Sequence, residues 1–219
     1  REEFADYWWN QHGPLVAERA ELLGIRRYQQ VHSVRSRRPE GEPVFDGVAE
    51  LWMDGPEATG TLEERAKAGA ELLADERTFI DLESSPIWLA DEQVIRSGRQ
   101  EGLRLTAALR RNPALTHDEF RRHWLGVHAP LVLEHLDVYG FAHYVQLHTP
   151  DDAAEYPLAR RRNSPPPFDG ISEVWFEDVD PDPDHAAAVR ALIGADEELL
   201  LDRDNCVMWM SEVRVVVDR

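Results

Sequence analysis

Apolar residues fall at helical spacing through "EFADYWWN" and again through "DEFRRHWLGVH", so Phe4, Trp8 and His12 share one helical face, as do Phe120, Trp124 and His128. Thr116, with Glu119 three residues on, reads as the capping box that opens the second of these helices. Alternation replaces that spacing in "YVQLH" and "FDGISEVWFE", the pattern of half-buried strands. "TLEERAKAGAELLADERTFI" and "DPDHAAAVRALIGADEELLL" read as amphipathic helices, and "PIWLADEQVI" and "CVMWMSEVRVVV" as closing strands. The order helix, strand, strand, helix, strand is therefore written twice. Only the second copy has an opening strand, "GLRLTAALRRN" (102–112).

The two copies also agree residue by residue. Phe4, Trp8, His12, Pro14, Leu15 and Val16 return as Phe120, Trp124, His128, Pro130, Leu131 and Val132, each shifted by 116. "RRYQQVH" keeps that offset against "AHYVQLH"; "FDGVAELW" matches "FDGISEVW" at 123, and "ADERTFIDLESSPIWLADE" matches "ADEELLLDRDNCVMWMSEV" at 121. The extra residues lie in "TPDDAAEYPLARRRNSPPP", which reads as loop. Trp8, Trp52 and Trp88 pair with Trp124, Trp175 and Trp209, leaving Trp9 unmatched. The chain divides into a first repeat, 1–95, a linker "RSGRQE" at 96–101, and a second repeat, 102–219. With its opening strand each unit would be β-α-β-β-α-β, the ferredoxin-like split unit. The first unit's opening strand is expected before Arg1.

These motifs, F-x-x-Y/H-W-x-x-x-H-x-P-L, Y-x-Q-x-H, F-D-G-x-x-E-x-W, A-D-E and a late Trp, resemble the EthD-like branch of the dimeric α/β-barrel proteins, over nearly the whole chain and twice. The resemblance implies an α+β fold in which tandem ferredoxin-like repeats form an intrachain pseudo-dimeric α/β barrel, helices outside. It also implies a family of cofactor-free cyclases and monooxygenases, dehydratases, catabolic proteins and haem-using cousins.

Strand alternation groups Tyr28, Gln30 and His32, and Tyr144, Gln146 and His148. It likewise groups Asp46, Val48, Glu50 and Trp52, and Asp169, Ile171, Glu173 and Trp175. Related barrels keep their pocket between sheet and helices, so this polar and aromatic face is placed there; the residues themselves leave the opposite assignment open. His12 and His128, each where a helix meets a Pro-containing break, are the leading acid–base candidates, against a reading as buried helix stops. His32, His148, Tyr28, Tyr144, Glu50 and Glu173 complete the catalytic set, each with a packing or cross-strand alternative. Trp8, Trp124, Trp52 and Trp175, with Asp46 and Asp169, are candidate substrate-binding residues, although the tryptophans also fill core and Asp-Gly is first a turn signal. "ADE" at 74–76 and 195–197 reads as a structural helix terminus. The repeats differ at Tyr7 against His123 and Gly13 against Ala129, which leads to unequal pockets, with the histidine-rich second repeat favoured as active.

A formal charge of −18 argues against a nucleic-acid partner. No stretch approaches the length of a membrane helix, so no membrane is expected. The single cysteine, Cys206, rules out an internal disulfide and points to a reducing cytoplasm; no signal peptide is seen, in a chain that opens without Met. No phosphate loop, nucleophile elbow or dinucleotide fingerprint occurs, "DVDPDPD" lacks the Gly and Glu of a calcium loop, and no histidine spacing supports zinc, so neither cofactor nor metal is expected. The basic runs at 35–38 and 160–162 offer steering for an anionic substrate or a solvated loop. The expectation is a cofactor-independent lyase, dehydratase or cyclase for a small apolar, aromatic or polyketide-like substrate. A monooxygenase, cofactor-free or haem-dependent, and a non-catalytic ligand-binding protein are the alternatives. A homodimer of the pseudo-dimeric chain is compatible with either.

Overall fold

A computed structural model describes residues 1–36, 41–53 and 59–219. The chain starts with α1 (Glu2–Tyr7), a π-helical turn (Trp8–His12) and α2 (Gly13–Leu23), then β1 (Ile25–Ser36), β2 (Gly47–Met53), α3 (Leu62–Phe79) and β3 (Asp91–Arg96). It continues with β4 (Arg104–Leu109), α4 (His117–His123), a second π turn (Trp124–His128), α5 (Ala129–Leu133), α6 (Leu136–Tyr139) and β5 (Phe141–His148). A short 3₁₀ turn (Ala153–Glu155), α7 (Pro157–Arg162), β6 (Gly170–Phe176), α8 (Pro183–Leu200) and β7 (Val207–Asp218) complete it. Capping boxes at Thr61–Glu64 and Thr116–Glu119 start α3 and α4 by satisfying orphan amides at both ends of each pair. None of the helices is long and apolar enough to cross a membrane, among the described residues.

Three expectations about element boundaries need correction. The helix does not break at Gly13-Pro14 or Ala129-Pro130. It runs on through the π turns, in which the Gly13 and Ala129 amides donate to the Trp8 and Trp124 carbonyls, five residues back. Each proline then falls in the first turn of the next segment, where a missing N–H costs little. The stretch at 149–167, read as loop, contains the 3₁₀ turn and α7, ended by Asn163 in the left-handed region (φ 52°). The first closing strand starts at Asp91, so Trp88 lies ahead of it.

The seven strands form one antiparallel sheet, ordered β2-β1-β7-β4-β6-β5-β3, that curls into a half-barrel. β7 pairs with β4 on one side and β1 on the other, while β3 joins β5. Strands from the first part of the chain thus flank those from the second at both ends. β2 and β3 are the free edges, bridged where the Trp52 indole donates to the Glu92 carboxylate.

Register decides what each face carries, because directly paired residues point the same way. Tyr28, Gln30 and His32 pair with Leu51, Ala49 and Gly47, and pack toward the helices, Tyr28 clustering with Val16 and Ala20 of α2. Gln29 and Val31 pair with Glu50 and Val48 on the other, inner face. The second part repeats this: Tyr144, Gln146 and His148 share a side with Val174, Ser172 and Gly170, whereas Glu173 and Trp175 oppose Val145 and His143. The single polar-aromatic face of the sequence reading is therefore two faces. The Tyr-Gln-His sets lie under the helices, and Glu50, Trp52, Glu173 and Trp175 lie on the inner side.

Candidate active site

The carbonyl that closes each π turn also accepts a hydrogen bond from the strand beneath. Gln30 Nε2 donates to the Trp8 carbonyl (2.7 Å) and to Tyr28 Oη (3.0 Å), which also receives the Trp8 indole N–H (3.1 Å). Gln30 Oε1 accepts from His32 Nε2 (3.0 Å), and the His32 ring lies 4.7 Å from that of Trp8. In the second copy Gln146 Nε2 donates to the Trp124 carbonyl (3.3 Å) and Tyr144 Oη (2.7 Å), and His148 Nε2 meets Gln146 Oε1 (2.9 Å). The glycine of each F-D-G motif belongs to the same assembly: a Cβ on Gly47 or Gly170 would overlap the Trp8 or Trp124 ring. These bonds link the buried groups, with His32 Nδ1 left over, and hold the tryptophan in place four residues ahead of the lead histidine.

Burial pushes the Tyr28 and Tyr144 hydroxyls up to about 12. It lowers His32 and His148 to about 4, with Arg214 and Arg121 adding to the effect. Both histidines are thus neutral when folded but would take up protons when unfolded below their ordinary value. Their contribution to stability is complete above pH 6.5 and is lost as pH falls toward 4. Urea midpoints recorded between pH 7 and pH 4 should accordingly fall, and the fall should be shallower in His32→Asn/His148→Asn. A parallel decline in wild type and variant would show that these imidazoles are not the groups responsible.

Above this assembly the lead histidines meet carboxylates from the second helix of each half. His12 Nδ1 lies 2.7 Å from Asp75 Oδ2, and Tyr7 Oη donates to Asp75 Oδ1 (2.6 Å). His128 Nδ1 lies 2.8 Å from Asp196 Oδ2, and His123 Nε2 lies 2.6 Å from Asp196 Oδ1. Nε2 of His12 and of His128 has no hydrogen-bond partner among the described residues. Phe79 packs on both His12 (5.1 Å) and Tyr7 (5.0 Å), whereas the matching position in the second half is Leu200. Beside His12, Glu76 pairs with Arg162 of α7 (3.0 Å); burial raises its carboxyl while Arg162 opposes that rise.

The mid-strand glutamates meet elsewhere. On the inner face Arg104, with no exposed surface, forks onto both oxygens of Glu50, and its Nη1 lies 3.0 Å from Glu173 Oε2. Gln29 also donates to Glu50. Burial presses both carboxyls upward, but Arg104 holds Glu50 below the usual range. Glu173 stays well above it: burial dominates, Arg104 opposes, and the Glu50 charge adds to the rise. The inner pair is two carboxyls pushed in opposite directions around one guanidinium.

Asp46 is tied to Arg1 (2.8 Å), and Asp169 to Arg111 and His117 (3.1 Å), so both lock strand entries. Trp52 lies under Arg27 (4.7 Å) and Trp175 under Arg104 (5.3 Å), apart from the lead histidines. A surface groove of about 310 Å³ runs beside Arg162, lined by Arg77, Leu82 and Arg161. Of the basic run at 35–38, residues 37 and 38 lie outside the described ones.

The chain matches the EthD domain over residues 1–83 and 112–204, two segments that take in both His-Asp pairs. It belongs to the EthD family. Membership associates it with small-molecule metabolism. No curated protein matches the chain.

Within this EthD protein the sequence reading passed over the two residues that engage the lead histidines. Asp75 and Asp196 stand in the A-D-E motifs, which lie a turn inside α3 and α8 rather than at their ends. Their signal was present: a carboxylate kept in register at an offset of 121, on a second helix. Tyr7 and His123 enter the sequence analysis only as a difference between the repeats, yet each bonds the second oxygen of the aspartate that meets its own lead histidine, Asp75 and Asp196 respectively. Arg104 carried no such signal, since an arginine within an apolar strand gives no hint that two distant glutamates await it.

Proposed function

We propose that this EthD protein is a cofactor-independent acid–base enzyme of the lyase, dehydratase or cyclase type, with His12 and His128 as the proton-transferring groups. The observation that carries the reading is the Asp75–His12 and Asp196–His128 contact at Nδ1, made twice. An aspartate on Nδ1 favours the Nδ1–H tautomer and leaves the Nε2 lone pair to accept a proton from a substrate. The same carboxylate stabilises the imidazolium that results, and Tyr7 or His123 keeps the carboxylate aimed. Phe4, Tyr7 and Phe79, packed together around His12, favour a small apolar or aromatic substrate in the first half.

The architecture we propose is a tandem pair of ferredoxin-like units at 1–95 and 102–219, joined by 96–101. Supporting it, the second unit's strands lie in the order closing, opening, third, second (β7-β4-β6-β5), and β1–β7 and β3–β5 each join the second strand of one unit to the closing strand of the other. The edge strands β2 and β3 are the third and closing strands of the first unit, the counterparts of β6 and β7, which flank β4 in the second.

The catalytic reading is testable without a substrate. Nitrogen NMR of the histidine rings should find His12 and His128 as Nδ1–H tautomers, and His32 and His148 as Nε2–H tautomers. Asp75→Asn and Asp196→Asn should shift only their own histidine among the lead pair. An Nε2–H tautomer at both lead positions would refute the assignment of Nε2 as the base.

A further inference from the structure

Outside the proposed active site, the chain brings together a second group of chemically able side chains. His135 follows α5, Asp137 lies on α6 and His185 lies in the first turn of α8; one ligand atom from each falls within 4.8 Å of the others. Among the described residues no other set of three or more His, Cys, Asp or Glu brings one ligand atom from each within that distance. His185 Nε2 and Asp137 Oδ2 are 2.9 Å apart, and the two imidazole rings stand 6.4 Å apart at 62°.

We propose that His135, Asp137 and His185 bind a divalent transition-metal ion of the zinc class. Two imidazole nitrogens and one carboxylate oxygen are the donor set of zinc and its neighbours, whereas calcium and magnesium prefer all-oxygen surroundings. Metal–ligand lengths of about 2.0–2.2 Å place tetrahedral ligand atoms about 3.3 Å apart. The Asp137–His185 separation already suits that edge, and a rotation of the partly exposed His135 ring closes the third.

The backbone beneath is already held in place. Asp182 caps α8 by accepting the amides of Asp184 and His185 (3.1 and 2.9 Å). Val138 of α6 packs with Ala186 and Val189 of α8 in one apolar cluster. Little ordering is therefore left for the ion to impose. The approach is electrostatically favourable, because Asp178, Asp180, Asp182 and Asp184 lead into α8 in a chain of formal charge −18. The first half has no such group: at the corresponding offsets it carries Arg19, Glu21 and Glu64. Arg19 is engaged by Glu18 and Glu71, and Glu64 by the Thr61 cap. This site therefore belongs to the second repeat alone. Protein ligands at three positions leave a fourth for water or an exogenous donor.

The experiment is calorimetric titration of the tag-free chain with zinc chloride, with magnesium and calcium chlorides as controls. Cobalt(II) is used in parallel as a visible-absorption probe. Zinc should bind at one equivalent, raise the thermal midpoint and displace cobalt, while magnesium and calcium do neither. His135→Ala and His185→Ala should each weaken zinc binding by at least about tenfold, since even outer-sphere losses cost ~10–100-fold. The double variant should lose the midpoint shift. Two results would overturn the proposal: no zinc uptake, which leaves a surface ion pair only, or uptake unchanged in the double variant.

Discussion

If His12 and His128 transfer the proton as proposed, replacing both by Asn should lower turnover by about 10²–10⁴-fold while the thermal midpoint stays near that of the wild type. The size follows from the geometry. Asp75 and Asp196 occupy Nδ1 and leave Nε2 as the only ring nitrogen able to exchange a proton with a substrate. Asn can still meet the aspartate through its amide N–H, so packing survives while titration is lost. The measurement is kcat and thermal unfolding on the singles and the double, with a substrate drawn from a panel of small aromatic and polyketide-like compounds. The singles should differ from each other, because His12 packs on Phe79 and shares its aspartate with Tyr7, whereas His128 shares with His123. A double variant that turns over at the wild-type rate removes both histidines from the chemistry.

Arg104→Met destabilises the fold by about 3–5 kcal/mol, the usual consequence of leaving a buried charge without its partner. Arg104 is fully buried and is the only cation paired with Glu50 and Glu173 among the described residues. The two carboxyls answer differently to neutralisation. Burial and the Glu50 charge push the Glu173 carboxyl well above its usual range, so neutralising it in Glu173→Gln should be the better tolerated change. Glu50→Gln removes the carboxylate that neutralises Arg104 and should approach the cost of Arg104→Met. Urea unfolding of the three variants at pH 7 measures this. Wild-type protein should also show the infrared band of a protonated carboxylic acid, absent in Glu173→Gln. The pH dependence follows in sign: a raised carboxyl favours folding below its ordinary pKa and loses that advantage as pH rises. Equal losses from Glu50→Gln and Glu173→Gln would contradict opposite shifts of the two carboxyls.

Much of this is legible in the linear chain. Helix and strand periods and the Thr116 cap are local properties, so the linear pattern carried them. The paired Trp, His and Gly positions were visible because duplication wrote each constraint twice, and Gly47 and Gly170 now have their reason in the Trp8 and Trp124 rings. The Tyr-Gln-His grouping is equally local, since it needs only a period of two along one strand.

Register was beyond reach. Whether Glu50 joins Tyr28 or opposes it depends on which residue of β2 faces which residue of β1, and a slip of one position reverses the answer. The continuous helix through Pro14 was hidden because a π turn satisfies bonds that a regular helix would leave open. Contacts between distant segments were hidden for a plainer reason: Asp75 meets His12 across 63 residues, Arg104 meets Glu50 across 54, and His185 meets Asp137 across 48. The sequence by itself determined the duplication, the local elements and the histidines worth watching, because short-range sterics and periodicity leave their mark on neighbouring residues. Only the tertiary structure decided which carboxylate orients which imidazole, which face is inner, and where two histidines and an aspartate converge. Those choices rest on long-range packing, which has no signature within a single segment of chain.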